Sequence, residues 1–225
     1  MAWAGTTTFI DNFDRAQVLT TTPGQNGWTI ADTSSAGSPT YLCATEDGGK
    51  MVLTLANDTE AENVCMYHND VLMFDAARIK NFWYVAKVAS ISANTTLLLG
   101  MGSARNDAGD SVTNSAWFRM EGSTSTSALV VETDDNTNNN DDKATGTTLA
   151  AVYKRLYVDF SQGLSDVRFY VDGARVASST TFDMSDISSG SNLQPIVQIQ
   201  KASSAGTPAV HIAQFGITYT WSYGA

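Results

Sequence analysis

The most chemically distinctive stretch of this 225-residue sequence is the acidic run Glu132 to Asp142, ETDDNTNNNDD. Asp134, Asn136 and Asn138 follow the one-three-five spacing by which a loop gathers hard oxygen ligands around Ca²⁺, and Asp141 and Asp142 lie within reach. Two positions depart from a helix-flanked calcium loop. Asn139 stands where such a loop turns on glycine, and Thr145 where it closes with glutamate. The same residue types are strong turn formers, so the segment also reads as a solvated hairpin tip that holds no metal. Both readings stand, and nothing in the sequence requires a cofactor. A second acidic patch, Asn106 to Asp110, reads as an exposed loop.

Other reactive side chains are sparse. His68 and His211 are far apart; His68 ends an exposed-looking strand, and His211 alternates onto the face of Phe215 and Tyr219. Cys43, Cys65, His68 and His211 are too scattered along the chain to read as a zinc site, and both histidines read as structural. There is no Gly-x-Ser-x-Gly elbow. Cys43 and Cys65 cannot form a disulfide scaffold, which leaves two buried thiols or a single bridge. In AWFRM, Trp117 shares a strand face with Arg119; the ring reads equally as core or, where exposed beside the guanidinium, as a platform for a glycan or a protein partner. No residue is assigned a catalytic role.

The elements that position these groups are nearly all strands. Thr7 to Phe13, Trp28 to Ala31, Tyr41 to Thr45, Lys50 to Ala56 and Asn63 to His68 open the series. Phe82 to Ser92 is long and apolar on both faces, with Phe82, Tyr84, Ala86 and Val88 on one, so it reads as a central, covered strand that places Trp83 in the core. Thr95 to Gly102, Ala116 to Glu121 and Ala128 to Glu132 follow. Arg155 to Phe160, Asp166 to Val171, Ala174 to Ser178, Leu193 to Gln200 and Val210 to Trp221 complete the set. Asp172-Gly173 tolerates the positive φ of a type I′ turn, so FYVDGARVAS is a hairpin. The one helical candidate, Asp75 to Lys80, is about a turn and a half. So many short strands at regular spacing specify an all-β sandwich or barrel. No repeat or Pro/Gly-rich linker divides the chain, and residues 1–225 read as one domain. The first and last strands are expected to pair.

Composition narrows the partners. Net charge is −10 and only 16% of residues are charged, so the polar surface comes from Ser, Thr, Asn and Gln. An acidic chain repels phosphate, which argues against nucleic acid and anionic membrane surfaces. No run is long and apolar enough to span a bilayer. MAWAGTTTFIDNFD lacks the basic and apolar regions of a signal peptide, so the expectation is a removed signal or release by lysis within a virus particle.

Several strings point to one superfamily. FIDNFDRA followed by NGWTI resembles the opening of concanavalin A-like lectin and glucanase (LamG-like) jelly rolls. RLYVDFSQGLSDVRFYVDGARVASSTTFDM resembles their late hairpin, and LQPIVQIQK with VHIAQFGITYTW resembles their closing strands. The resemblance implies an antiparallel two-sheet jelly roll with almost no helix, and it covers nearly the whole chain. Family 16 glucanases, which share this fold, place Glu-x-Asp-x-Glu or Glu-x-Asp-x-x-Glu on one strand face, so that one carboxylate attacks and another donates a proton. Here Glu132 and Asp134 fit, but the second glutamate is missing and the string runs into a polar loop.

VLMFDAARIKNFWYVAKVA, LLLGMGSARND, AWFRMEG and VVETDDNTNNNDDKATG also make the chain similar to jelly-roll virion proteins of tailed bacteriophages. That resemblance implies a non-enzymatic capsid decoration, cement or head-fibre protein on the virion surface. Its partners would be capsid or other virion proteins, in a homo-oligomer with a trimer favoured. The alternative is a carbohydrate-binding, lectin-like module, free and extracellular or on a virion, with a family 16-like glycoside hydrolase third.

Overall fold

Alternation of apolar and polar side chains dictates the architecture, because successive strand residues point to opposite faces and one face must be buried. The computed structural model describes residues 3–14, 25–44, 48–71 and 73–223. In chain order the strands are β1 (Trp3–Asp11), β2 (Thr29–Asp32), β3 (Thr40–Ala44), β4 (Lys50–Thr54), β5 (Glu62–Tyr67), β6 (Phe74–Asp75), β7 (Ile79–Ser90) and β8 (Thr95–Gly102). They continue with β9 (Ser115–Glu121), β10 (Ala128–Asp134), β11 (Asn139–Thr148), β12 (Lys154–Asp159), β13 (Arg168–Val171), β14 (Ala174–Val176), β15 (Asn192–Lys201) and β16 (Ala209–Tyr223).

Two antiparallel sheets of eight strands form a jelly-roll sandwich. The first runs β14-β13-β12-β7-β16-β4-β3, with β1 also on β16; the second runs β11-β10-β9-β8-β15-β5-β2, with β6 on β15. The expected pairing of first and last strands is present, from Trp3↔Tyr223 to Asp11↔Phe215. The hairpin at Asp172-Gly173 is also as expected, with φ of 50° and 83° at its two central residues.

One continuous apolar core lies between the sheets. From β7 it takes Phe82, Tyr84, Ala86 and Val88, and from β16 it takes Val210, Ile212, Phe215 and Ile217. Each large side chain removed from water contributes about 1.5–3 kcal/mol before chain entropy is set against it. Trp28 is fully buried and donates from Nε1 to Asp11 Oδ2 at 2.9 Å, so the indole's one polar atom is satisfied inside the core.

Three expectations change on contact with the structure, and the choice left open for the cysteines falls to unbridged thiols. The helix at Asp75 to Lys80 is a single 3₁₀ turn, Ala76–Arg78, capped by the Asp75 side chain. It is too short to persist as an α-helix. His68 is buried against Trp28, with ring centroids 4.3 Å apart, rather than exposed. His211 does not share a face with Phe215, because a register shift between Ile212 and Gln214 breaks the alternation. Cys43 and Cys65 form no disulfide, and they lie in opposite sheets on β3 and β5. Thr45, the end of one expected strand, lies outside the described residues.

Candidate functional site

Strand β9 sends Ala116, Phe118 and Met120 into the core. Its alternate residues Trp117, Arg119 and Glu121 therefore stand on the outer face of the second sheet. On neighbouring β10, Leu129 and Val131 are core, so Glu132 and Asp134 share that outer face. The register sets Val130 opposite Arg119 and Glu132 opposite Trp117. Glu132 and Asp134 thus lie on one side of the sheet, as their spacing requires. The neighbouring face of β9 carries Trp117, Arg119 and Glu121. Beyond Asp134, Asn136 takes a φ of 70° in a turn rather than continuing a strand.

The outer face gathers carboxylates from four places in the chain around one guanidinium. Arg119 Nη1 lies 3.1 Å from Glu132 Oε2, 2.7 Å from Asp110 Oδ1 and 3.6 Å from Asp142 Oδ1. Nη2 bonds Asp110 Oδ2 at 3.1 Å and also engages Glu121. The Arg119 and Glu132 side chains are only 8% and 6% exposed, so this pair is largely shielded from water. One cation cannot neutralise four carboxylates. Burial therefore outweighs the attraction of Arg119 and pushes Glu132 up to about 7, with Asp110 and Asp142 adding to the rise. The same carboxylates hold the Arg119 proton more tightly than usual. Arg119 Nε is buried without a partner. A carboxyl group poised to give or take a proton near neutral pH is the arrangement that acid–base catalysis uses.

Residues 103–114 cross the same face as a strap. Its base closes through Ser103 N to Asn114 O at 2.9 Å. Asp107 Oδ1 accepts from Thr33 Oγ1 at 2.8 Å and from Asn63 Nδ2 at 3.0 Å, and the Asp107 carbonyl accepts from Gln198 Nε2 at 3.2 Å. Val112 packs into a second small core with Trp117, Leu98, Cys65 and Ile196. At Gly109 the backbone comes so close that a Cβ would lie 2.0 Å from Leu98 Cδ1. Trp117 is consequently 1% exposed. It is not a surface platform, because the strap covers it, and Arg119 presents its charge inward to carboxylates rather than to a partner.

Of the expected calcium ligands, Asp134 and Asp141 line one small cavity with Asp110 and Glu132, while the others turn to different partners. Asp134 ends β10 and accepts the Asn136 amide at 2.6 Å. Asn138 donates from its backbone and its side chain to Asp135. Asp141 and Asp142 lie in β11, and Asp142 turns toward Arg119. Asp135, outside the expected set, is the hub of the turn and also accepts the amides of Thr137 and Asp186, each at 3.0 Å. Among the described residues, no three His, Cys, Asp or Glu side chains gather as a metal-holding group.

Neither a protein-family model nor a curated protein matches the sequence. Solved structures do. A GH16 protein of the Bacteroides ovatus mixed linkage glucan PUL, solved with a G4G4G3G product, superposes with a TM-score of 0.65 at 10% identity, over 93% of this chain and 99% of that one. The laminarinase from Flavobacterium sp. UMI-01 gives 0.62 at 13% identity, over 93% and 98%. The Bacillus licheniformis β-glucanase gives 0.62 at 12% identity, over 93% and 97%. At these identities the likeness is one of fold, and it is the concanavalin-like jelly roll. It also corrects the expected role. These three are named as a GH16 protein, a laminarinase and a β-glucanase, and none of these likenesses supports a bacteriophage decoration protein. The readings of a virion structural component and of a chain without enzymatic activity are therefore set aside.

Proposed function

We propose that this chain is a glycan-processing jelly roll that takes a β-glucan on the outer face of its second sheet, where the strap 103–114 has to lift from Glu132 to admit it, and cleaves it with Glu132 as proton donor. The observation that carries this reading is the buried Glu132 carboxyl, held at about 7 within the carboxylate ring of Arg119. A glycosidic bond breaks when one carboxylic acid protonates the leaving oxygen while an ionised partner attacks or activates water. Glu132 is the acid. Glu121, on the neighbouring strand and paired with the same Arg119 guanidinium, is the second carboxylate. The two carboxylates then come from neighbouring strands rather than from one Glu-x-Asp-x-Glu strand. The substrate class follows from the jelly rolls that share the fold, which act on mixed-linkage glucan and laminarin-type polymers.

The test is release of reducing ends from mixed-linkage glucan and from laminarin. Wild type is expected to release them below pH 7 and Glu132→Gln to lose at least 100-fold, while both remain folded by circular dichroism. Retention of the glucan in affinity electrophoresis without release would move the chain to a second reading, a glycan-binding module. Neither release nor retention would overturn both readings.

A further inference from the structure

The outer face of the first sheet carries a band of rings and cations that the proposed activity does not use. The register aligns Arg175, Tyr170, Tyr157, Trp83 and Gly216 in one row across β14, β13, β12, β7 and β16. At Gly216 a Cβ would lie 2.1 Å from the Trp83 ring, so only glycine lets that ring lie flat on the sheet. Trp83 is thus buried on the outer face and not within the sandwich core. Its Nε1 donates to Gln214 Oε1 at 2.6 Å, which fixes the ring in its plane.

Arg155 lies across this row. Its guanidinium carbon sits 5.0 Å from the centroid of Trp83 and 5.3 Å from that of Tyr157. Stacking of this kind holds a guanidinium flat and leaves its N–H edge for a planar acceptor. The carboxylates of this corner are committed elsewhere. Asp166 pairs with Arg168 and Arg175, and Asp172 bonds Lys154 Nζ at 3.0 Å. A groove of about 330 Å³ opens here, lined by Arg155, Tyr157, Tyr170 and Gly173. That volume suits a small organic ligand. The two tyrosine rings meet edge to face at 5.9 Å and form one wall, and Gly173 leaves the floor clear.

We infer that this groove binds a carboxylated sugar unit, with its carboxylate on the Arg155 guanidinium and its pyranose ring against Tyr157 and Tyr170. A guanidinium and a carboxylate match as a two-pronged pair. In a chain of net charge −10 a bare anion is repelled at long range, so ring contact must accompany the charge. Because the groove lies on the sheet opposite Glu132, binding there neither needs nor reports glucan cleavage.

The experiment is an NMR titration of the whole protein with trigalacturonate, neutral cellotriose and inorganic sulfate, following the Trp83 indole N–H and the Arg155 Nε–H. Trigalacturonate is expected to shift both signals and to bind at least tenfold more tightly than either control. Arg155→Gln and Arg155→Lys are each expected to lose that preference while circular dichroism and Tm stay unchanged, since the side chain is exposed. Equal binding of cellotriose would reduce the groove to a neutral stacking surface, and equal binding of sulfate would reduce it to an anion site. Either result, or no shift at millimolar trigalacturonate, overturns the inference.

Discussion

The two outer faces of the sandwich solve opposite electrostatic problems. On the second sheet one arginine is shared by Asp110, Glu121, Glu132 and Asp142, and the chain's own strap closes over the neighbouring rings. On the first sheet Arg155 rests on aromatic faces and looks outward over a groove. A buried carboxyl that faces more carboxylates than cations stores a proton, whereas a cation laid on rings stores an unfilled hydrogen-bonding edge. The first arrangement suits chemistry, and the second suits capture. The same scaffold supports both because each face is built only from alternate residues of strands whose other residues form the core.

Removing Arg119 should break this contrast most severely. Arg119→Ala leaves Glu132 and its neighbours without a cation, and loss of one partner of a buried pair costs about 3–5 kcal/mol. Urea denaturation at pH 7.5 is expected to show that loss. A change under 1 kcal/mol would mean that water reaches the cluster freely.

The stored proton gives a pH signature of intermediate size. Glu132 has its carboxyl raised from an ordinary 4.5 to about 7, so the folded state holds its proton more tightly than the unfolded chain. Its contribution to stability is complete below about pH 4.5 and is lost as pH rises through about 7, a span worth about 3 kcal/mol. Wild type measured against Glu132→Gln between pH 4 and 8 should show that slope in wild type alone. Parallel curves would remove Glu132 as a proton store.

The strap is the next target. Asp107→Ala deletes the acceptor for Thr33 and Asn63 and should loosen residues 103–114. Cys65, buried beneath the strap with its thiol pushed up to about 12, is then expected to alkylate about tenfold faster, a shift of about 1.4 kcal/mol in opening. Half-buried Cys43, in the other sheet, serves as the internal control and should not change. If both thiols accelerate together, the variant loosens the whole fold and the strap is not a separate unit. The smallest effect belongs to the open face, where Arg155→Gln should alter stability by less than about 0.5 kcal/mol. A larger loss would make Arg155 a structural brace.

The fold was largely legible in the sequence because period-two alternation, the Asp172-Gly173 turn and the paired end strands are local or simply patterned signals. Strand β11 was not. Its residues, NNDDKATGTT, are poor strand formers, and none of them is buried, so no alternation marks them. The site was legible only in part. Glu132 and Asp134 could be placed on one face from spacing alone, and Trp117 with Arg119 likewise. Glu121 follows Arg119 by two residues on one strand, so alternation alone sets them on one face; that Asp110 and Asp142 also converge on Arg119 had no signal, because these positions are separated along the chain and meet only through strand order and the strap. The strap also explains why Trp117 is covered, since a loop read as exposed turned out to bury Val112.

The pairing of β1 with β16 has a mechanical consequence. Trp3 lies opposite Tyr223 in an antiparallel ladder, so both ends of the described chain emerge at the same end of the same strand pair. A force applied through those ends loads the ladder bonds one rung after another instead of all together. Pulled by its ends, the sandwich should peel open from β1 like a zip and yield at low force, leaving the opposing faces of both sheets intact until β16 is drawn out of the centre of its sheet.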